Sequence, residues 1–293
     1  MGLSTNCRVD LKREFSFVIP CFDEHPEVLD DTINKLIATL DGVDGITYEI
    51  IVVDDGSKKF SYDDPPFENV YLIRHPDNIG YGASLMTGIS HACYGWIGIV
   101  DADGTYPVEY FTELLKHTDS HDMVVGKRNW GDIQFLRRLP KLILTKVASF
   151  IADYNIPDLN SGMRLFKKDI VRKYTRIFPQ RFSFTTTITM ICITNFYDVK
   201  FIDIPYHKRI GSSSIHPIRD TAKFFSLTFR LALYFKPLRF FIPLSFFTFV
   251  LAVLRGARDV WIASSFGGLT LVLFFMAFQI FFFGLIAEII NKK

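Results

Sequence analysis

Gly267 to Ile290 is a run of 24 residues with one ionisable side chain, Glu288, close to its end. As a helix it spans roughly 30 Å of hydrocarbon, and a helix apolar all round needs a large core or lipid to cover it. A shorter apolar run, Phe240–Leu254, lies just before it between Arg239 and Arg255. It is short for a span unless those arginines snorkel, and the alternative is a buried or re-entrant helix. A hairpin of two spans, about 240–256 and 267–290, is the better reading, because a single span would leave the Phe-rich partner exposed to water.

Composition sharpens the division. Sixteen of the 30 Phe lie at or beyond Phe224, and the formal net charge of +2 combines −4 over residues 1–220 with +6 over residues 221–293. Such a split suggests an acidic soluble domain followed by a basic membrane segment, and the even total gives no case for nucleic acid. Arg230, Lys236 and Arg239 precede the first span, and Lys292 and Lys293 follow the second. The positive-inside rule then favours cytosolic ends, although Arg255 and Arg258 in the intervening loop weaken the contrast. Upstream, Arg219, Lys223, Ser226 and Arg230 recur at steps of four, three and four. That spacing predicts an amphipathic interfacial helix over 216–237. The first fifteen residues contain no apolar h-region, so a cytosolic soluble domain without a signal peptide is expected. Cys7, Cys21, Cys93 and Cys192 show no short pair spacing, so neither a disulfide nor a structural zinc site is expected.

Between residues 1 and 215, short apolar runs alternate with helical patterns. Strands are expected at Phe15–Pro20, Tyr48–Asp54, Val70–Arg74, Trp96–Asp101 and Asp122–Gly126. Helices are expected at Pro26–Leu40, Tyr81–His91, Val108–His117 and Leu136–Asp153. The alternation predicts one α/β domain with a mainly parallel sheet covered on both faces. Ligands of such sheets bind beyond the carboxyl ends of the strands. Three of those ends are acidic here: Asp23-Glu24, Asp54-Asp55 and Asp101-Ala102-Asp103. Carboxylates gathered on one edge repel one another unless a cation neutralises them. The Asp101-Ala102-Asp103 pair follows a buried-strand pattern, Trp96–Val100, and can hold one hard divalent ion whose shell phosphate oxygens complete. The bland alternative is a solvated turn. Gly80-Tyr81-Gly82 lacks the third small residue and the preceding first strand of a dinucleotide fingerprint, and no phosphate-loop NTPase sequence is present.

Val18–Glu24, Val52–Ser57, Asn78–Gly82, Asp101–Asp103, Gly126–Arg128, Ser161–Phe166 and Arg209–Ser213, in that order, resemble the motifs of family 2 glycosyltransferases. With the hairpin they resemble most the polyprenyl-phosphate group, which includes dolichyl-phosphate mannose synthases and bacterial polyprenyl-phosphate glucosyltransferases. The resemblance implies a GT-A nucleotide-sugar-binding fold, a divalent metal (Mg²⁺ or Mn²⁺) and inverting transfer of a hexose from a UDP- or GDP-sugar to a polyprenyl phosphate at a membrane. It further implies that Pro20, Phe22, Glu24, Val52 and Asp54 frame the nucleotide, while Asp101, Ala102 and Asp103 hold metal and diphosphate. Arg128 and Arg209 would contact the donor, and Arg164, with Ser161 and Ser213, would meet the lipid phosphate. Asp103, Arg128, Arg164 and Arg209 are the implied catalytic set, and a homo-oligomer is possible. Two positions depart from the group's pattern. Thr105 stands where an amide often supplies a third metal ligand, and Ser214 stands where a lysine usually ends the last motif. The rivals are a processive or saccharide-directed transferase, whose Gln-x-x-Arg-Trp motif is missing, and a non-catalytic membrane scaffold.

Overall fold

The computed structural model describes residues 13–60, 62, 66–128, 145–179, 184–207, 233–234 and 236–291. These fall into two compact units, one drawn from Met1–Leu139 and Pro157–His216, the other from Pro140–Ile156 and Pro217–Lys293. Residues 145–156 therefore fall in the second unit, on the N-terminal side of the division expected near 215. Arg209, Ser213, Ser214 and almost all of the helix expected over 216–237 lie outside the described residues.

The first unit is built on a seven-stranded sheet with strands β1 (Arg13–Cys21), β2 (Ile46–Asp54), β3 (Val70–Arg74), β4 (Trp96–Ile99), β5 (Met123–Arg128), β6 (Arg164–Lys167) and β7 (Val199–Ile204). Their order is β3-β2-β1-β4-β6-β5-β7. All neighbours are parallel except β6, which runs against both β4 and β5. The mainly parallel sheet is as expected; β6 and β7 were not foreseen.

Burial explains the strands. Seven consecutive residues of β1, Phe15–Cys21, are buried, as in a strand covered on both faces. Helix α1 (Pro26–Asp41) starts with proline at its first position, where a missing N–H costs nothing, and buries Leu29, Ile33, Leu36 and Leu40. Phe17 meets Phe111 edge-on at 5.0 Å between centroids, joining the sheet to α3 (Phe111–Leu115). Gly98 pairs with Phe17 in the ladder, and a Cβ there would fall 2.4 Å from the Phe17 ring. Helix α2 (Tyr81–His91) also packs on β1.

In the second unit, two helices, Pro237–Ala263 and Gly268–Asn291, pack against each other, and each is long and apolar enough to cross a membrane. Ser245 Oγ donates to the Ala277 carbonyl of the other helix at 2.8 Å, and Asp259 accepts from Thr270 Oγ1 at 2.6 Å near the turn. The first helix runs beyond the expected 240–256, and Asp259 in that extension is satisfied from the second. Phe246, Phe275 and Phe283 are among many large side chains left exposed, a surface suited to lipid. At the other end of the first helix, Arg239 donates to the Phe150 carbonyl at 2.9 Å and pairs with Asp153.

Candidate active site

Because β6 runs against its neighbours, its first residues reach the same rim as the last residues of β1, β2, β4 and β5. That rim collects Asp23 and Glu24 after β1, Asp54 to Ser57 after β2, Asp101 to Thr105 after β4, Arg128 at the end of β5, and Ser161 to Met163 before β6. Most of the residues picked out by motif are thus neighbours in space.

Asp101 follows β4 by two residues. The Tyr81 hydroxyl, at the start of α2, donates to Asp101 Oδ1 at 2.8 Å. On its other side the carboxylate lies against Gly162, where an added Cβ would stand 2.3 Å from Oδ2. Gly162 N–H donates to the Tyr106 hydroxyl at 2.7 Å. Asp103 is nearly buried, and its Oδ1 accepts from Thr105 N at 3.2 Å and Thr105 Oγ1 at 2.6 Å. Thr105 is fully buried with its hydroxyl directed to Asp103. The position expected to be a doubtful third metal ligand thus donates to the Asp103 carboxylate.

The β1 and β2 ends are tied together. Asp54 Oδ1 accepts from Ser57 N at 3.0 Å, and Ser57 Oγ accepts from Asp23 N at 2.8 Å. Asp23 Oδ1 in turn accepts from the Lys58 and Lys59 amides at 2.9 and 2.8 Å. Asp23 has φ +51°, a left-handed conformation that aspartate tolerates better than most residues and that occurs at functional edges. Phe22 is 40% exposed, with Glu24 half-buried behind it. Val52 belongs to the hydrophobic core and Pro20 is buried in β1, so both lie beneath the rim. Ala102 is also a core residue.

The arginines divide. Arg128, nearly buried, makes a two-pronged pair with Asp158 (Nε to Oδ2 and Nη2 to Oδ1, both 2.8 Å) and stands over the Tyr206 ring. Burial pushes the Asp158 carboxyl up, but the Arg128 charge and hydrogen bonds outweigh it and hold the group below its ordinary value. Arg164 is wholly buried. It donates to the Ser161 carbonyl, to the Thr185 carbonyl at 3.0 Å and to Thr189 Oγ1 at 2.9 Å. Ser161 Oγ, likewise buried, donates to the Gly126 carbonyl. Both side chains, expected to meet a lipid phosphate, are buried and brace the rim from below. Residues that the sequence reading missed are Tyr81, Tyr106 and Asp158. The available signals were Tyr81 directly after Asn78-Ile79-Gly80 and Asp158 three residues before Ser161.

Among the described residues, no group of three or more His, Cys, Asp or Glu side chains gathers where a metal could sit. Asp101 and Asp103 remain as two hard oxygen donors one residue apart, which fits Mg²⁺ or Mn²⁺ when phosphate oxygens complete the shell.

The description of glycosyl transferase family 2 matches residues 16–175, more than half of the chain. The chain belongs to this family. Residues 236–292 match a second description, the GtrB C-terminal hairpin. A dolichyl-phosphate beta-glucosyltransferase of Trichomonas vaginalis is 26% identical, with 67% of each chain covered. A second from that organism is 27% identical, and the chain spans only about half of it (53%). An undecaprenyl-phosphate 4-deoxy-4-formamido-L-arabinose transferase of an Enterobacter species is 27% identical over 97% of this chain and 90% of its own. Among solved structures, glucosyl-3-phosphoglycerate synthase of Mycobacterium tuberculosis with Mn²⁺, UDP and phosphoglyceric acid has TM-score 0.57 at 13% identity. That match covers 75% of this chain and 78% of the other. At such identity the likeness speaks for fold alone. This family 2 glycosyltransferase accordingly has a GT-A sheet, with its acidic rim at the carboxyl edge.

Proposed function

We propose that this family 2 glycosyltransferase moves a hexose from a nucleoside-diphosphate sugar to a polyprenyl phosphate, inverting the anomeric carbon. One observation carries the reading. A single chain joins the Asp101–Asp103 rim of a GT-A sheet to a two-helix apolar hairpin, a pairing suited to a soluble donor and a membrane-borne acceptor. The relatives named for dolichyl- and undecaprenyl-phosphate transfer support it.

Phe22, Glu24, Asp54 and Ser57 line the rim where the nucleoside would lie, over the floor of Pro20 and Val52. Asp101 and Asp103 would hold a divalent ion, which when bound supplies Lewis-acid stabilisation of the leaving diphosphate. The acceptor needs no strong base: a phosphate monoester has a second pKa near 6 and is largely dianionic at neutral pH. Its oxygen attacks the anomeric carbon as the bond from that carbon to the diphosphate oxygen breaks, and the electron pair leaves with the nucleoside diphosphate. The chain's task is to hold two anions together, which positioned cations accomplish. Arg128, fixed by Asp158, stands closest to that role among the residues described above, and Arg209 is its sequence-based companion. Lys236 and Arg239 before the hairpin and Lys292 and Lys293 after it favour a cytosolic rim with both ends on the same side.

Acceptor competition tests the reading. Full-length protein in detergent with Mg²⁺ or Mn²⁺ is offered UDP- and GDP-hexoses together with polyprenyl phosphate and free saccharides. Sugar in a phosphodiester-linked lipid, with anomeric configuration opposite to the donor by NMR, is expected. Sugar delivered to the saccharide instead would replace this reading with that of a saccharide-directed transferase.

A further inference from the structure

A carboxylate at the end of a strand turns easily about its last torsion, which is broad for aspartate. Asp101 is confined from both sides. Tyr81 Oη–H donates to Oδ1 at 2.8 Å, and the Gly162 backbone lies so close to Oδ2 that no side chain fits between them. Each flank is itself anchored. Gly162 N–H is held by the Tyr106 hydroxyl at 2.7 Å. Tyr81 is the first residue of α2, and the turn into that helix is fastened to the end of β2. Asp55, 3% exposed, accepts from Ile79 N at 3.1 Å and Gly80 N at 2.8 Å. Asp55 is fixed in turn by His75 Nδ1 at 2.9 Å. The end of β2 thus sets the start of α2, and the start of α2 sets the carboxylate beyond β4.

The geometry points to Tyr81 as a positioning residue that, with Gly162, orients the Asp101 carboxylate for divalent-cation binding. The inference rests on the metal role proposed above for Asp101 and adds residues that touch neither metal nor substrate. A purely structural Tyr81 would fill space with its ring, and phenylalanine would serve equally. An orienting Tyr81 works through its O–H, which phenylalanine lacks. Partners that orient metal ligands typically carry 10- to 100-fold in metal affinity.

The test is Mn²⁺ binding followed by electron paramagnetic resonance, on full-length protein in detergent with UDP present, for wild type, Tyr81→Phe, Gly162→Ala and Asp101→Asn. Tyr81→Phe is expected to keep the wild-type melting temperature, to raise the Mn²⁺ dissociation constant roughly tenfold, and to regain turnover at high Mn²⁺. Gly162→Ala, which displaces the carboxylate from its other side, is expected to weaken Mn²⁺ in the same direction, and it decides the matter if Tyr81→Phe does not fold. Unchanged Mn²⁺ affinity in folded Tyr81→Phe, with binding lost in Asp101→Asn, overturns the positioning role and leaves the metal reading standing. Unchanged affinity in Asp101→Asn overturns both.

Discussion

Arg128 and Asp158 form an ion pair at the rim that is almost wholly removed from water. Replacing either partner alone strands a buried charge, at a typical cost of 3–5 kcal/mol. The pair also gives stability a defined pH dependence. The Asp158 carboxyl titrates lower in the folded chain than its ordinary value near 4, so the unfolded chain takes up the proton first. Its contribution is complete above that ordinary value and is lost as pH falls through the lowered folded one. The stability gap between wild type and Asp158→Asn should be widest near neutrality and narrow below about pH 4. Denaturant titrations at several pH values measure it, and a gap that stays constant to pH 3 contradicts it. Arg164 shows why a site is harder to read than a fold. A lone arginine in an apolar run looks like a ligand residue, yet its donors are met by the Ser161 and Thr185 carbonyls and the Thr189 hydroxyl. Those partners are 3, 21 and 25 residues away, beyond the reach of a motif.

At the scale of elements, β1 to β5 and α1 to α3 lie within a few residues of where apolar runs and turn residues put them. The strands not foreseen have physical reasons. Strand β6 is four residues, Arg-Leu-Phe-Lys, charged at both ends. Strand β7 is a half-buried edge strand whose apolar run is interrupted by Lys200 and Asp203. The helix Phe184–Thr194, buried throughout, is rich in Thr and Ile, whose stiff side chains weaken any helical signal. The close approach of β1 and β4 gives a sharp prediction. A methyl group at Gly98 meets the Phe17 ring at 2.4 Å, and overpacking of this kind costs about 1–3 kcal/mol. Gly98→Ala should therefore lower the melting temperature of the full-length protein by several degrees. An unchanged melting temperature would mean that the Phe17 ring moves aside freely.

For the whole molecule, the two long apolar helices were legible because length and apolarity alone decide them, whereas the grouping of residues 145–156 with the C-terminal unit depends on contacts such as Arg239 with Phe150 and Asp153. The exposed face of the hairpin is read as lipid-facing, which one charge can probe. Phe275 is 73% exposed on the second helix, and an arginine near the bilayer centre costs about 2.5–3.5 kcal/mol on insertion scales. Phe275→Arg should raise the share of protein released by alkaline carbonate from membranes, while an equally placed leucine should not. Equal release of the two variants contradicts a lipid-facing Phe275. The central claim, that the Asp101–Asp103 rim glycosylates a membrane lipid phosphate, is tested most directly by counting label. Radiolabelled UDP- and GDP-hexoses are given to wild type and Asp103→Asn with polyprenyl phosphate and Mn²⁺, and the organic extract is counted. The account predicts label in the wild-type extract with at least one donor and on the order of a hundredfold less with Asp103→Asn, a loss of several kcal/mol of transition-state stabilisation. Label at the same rate from both proteins, or from neither with any donor, contradicts it.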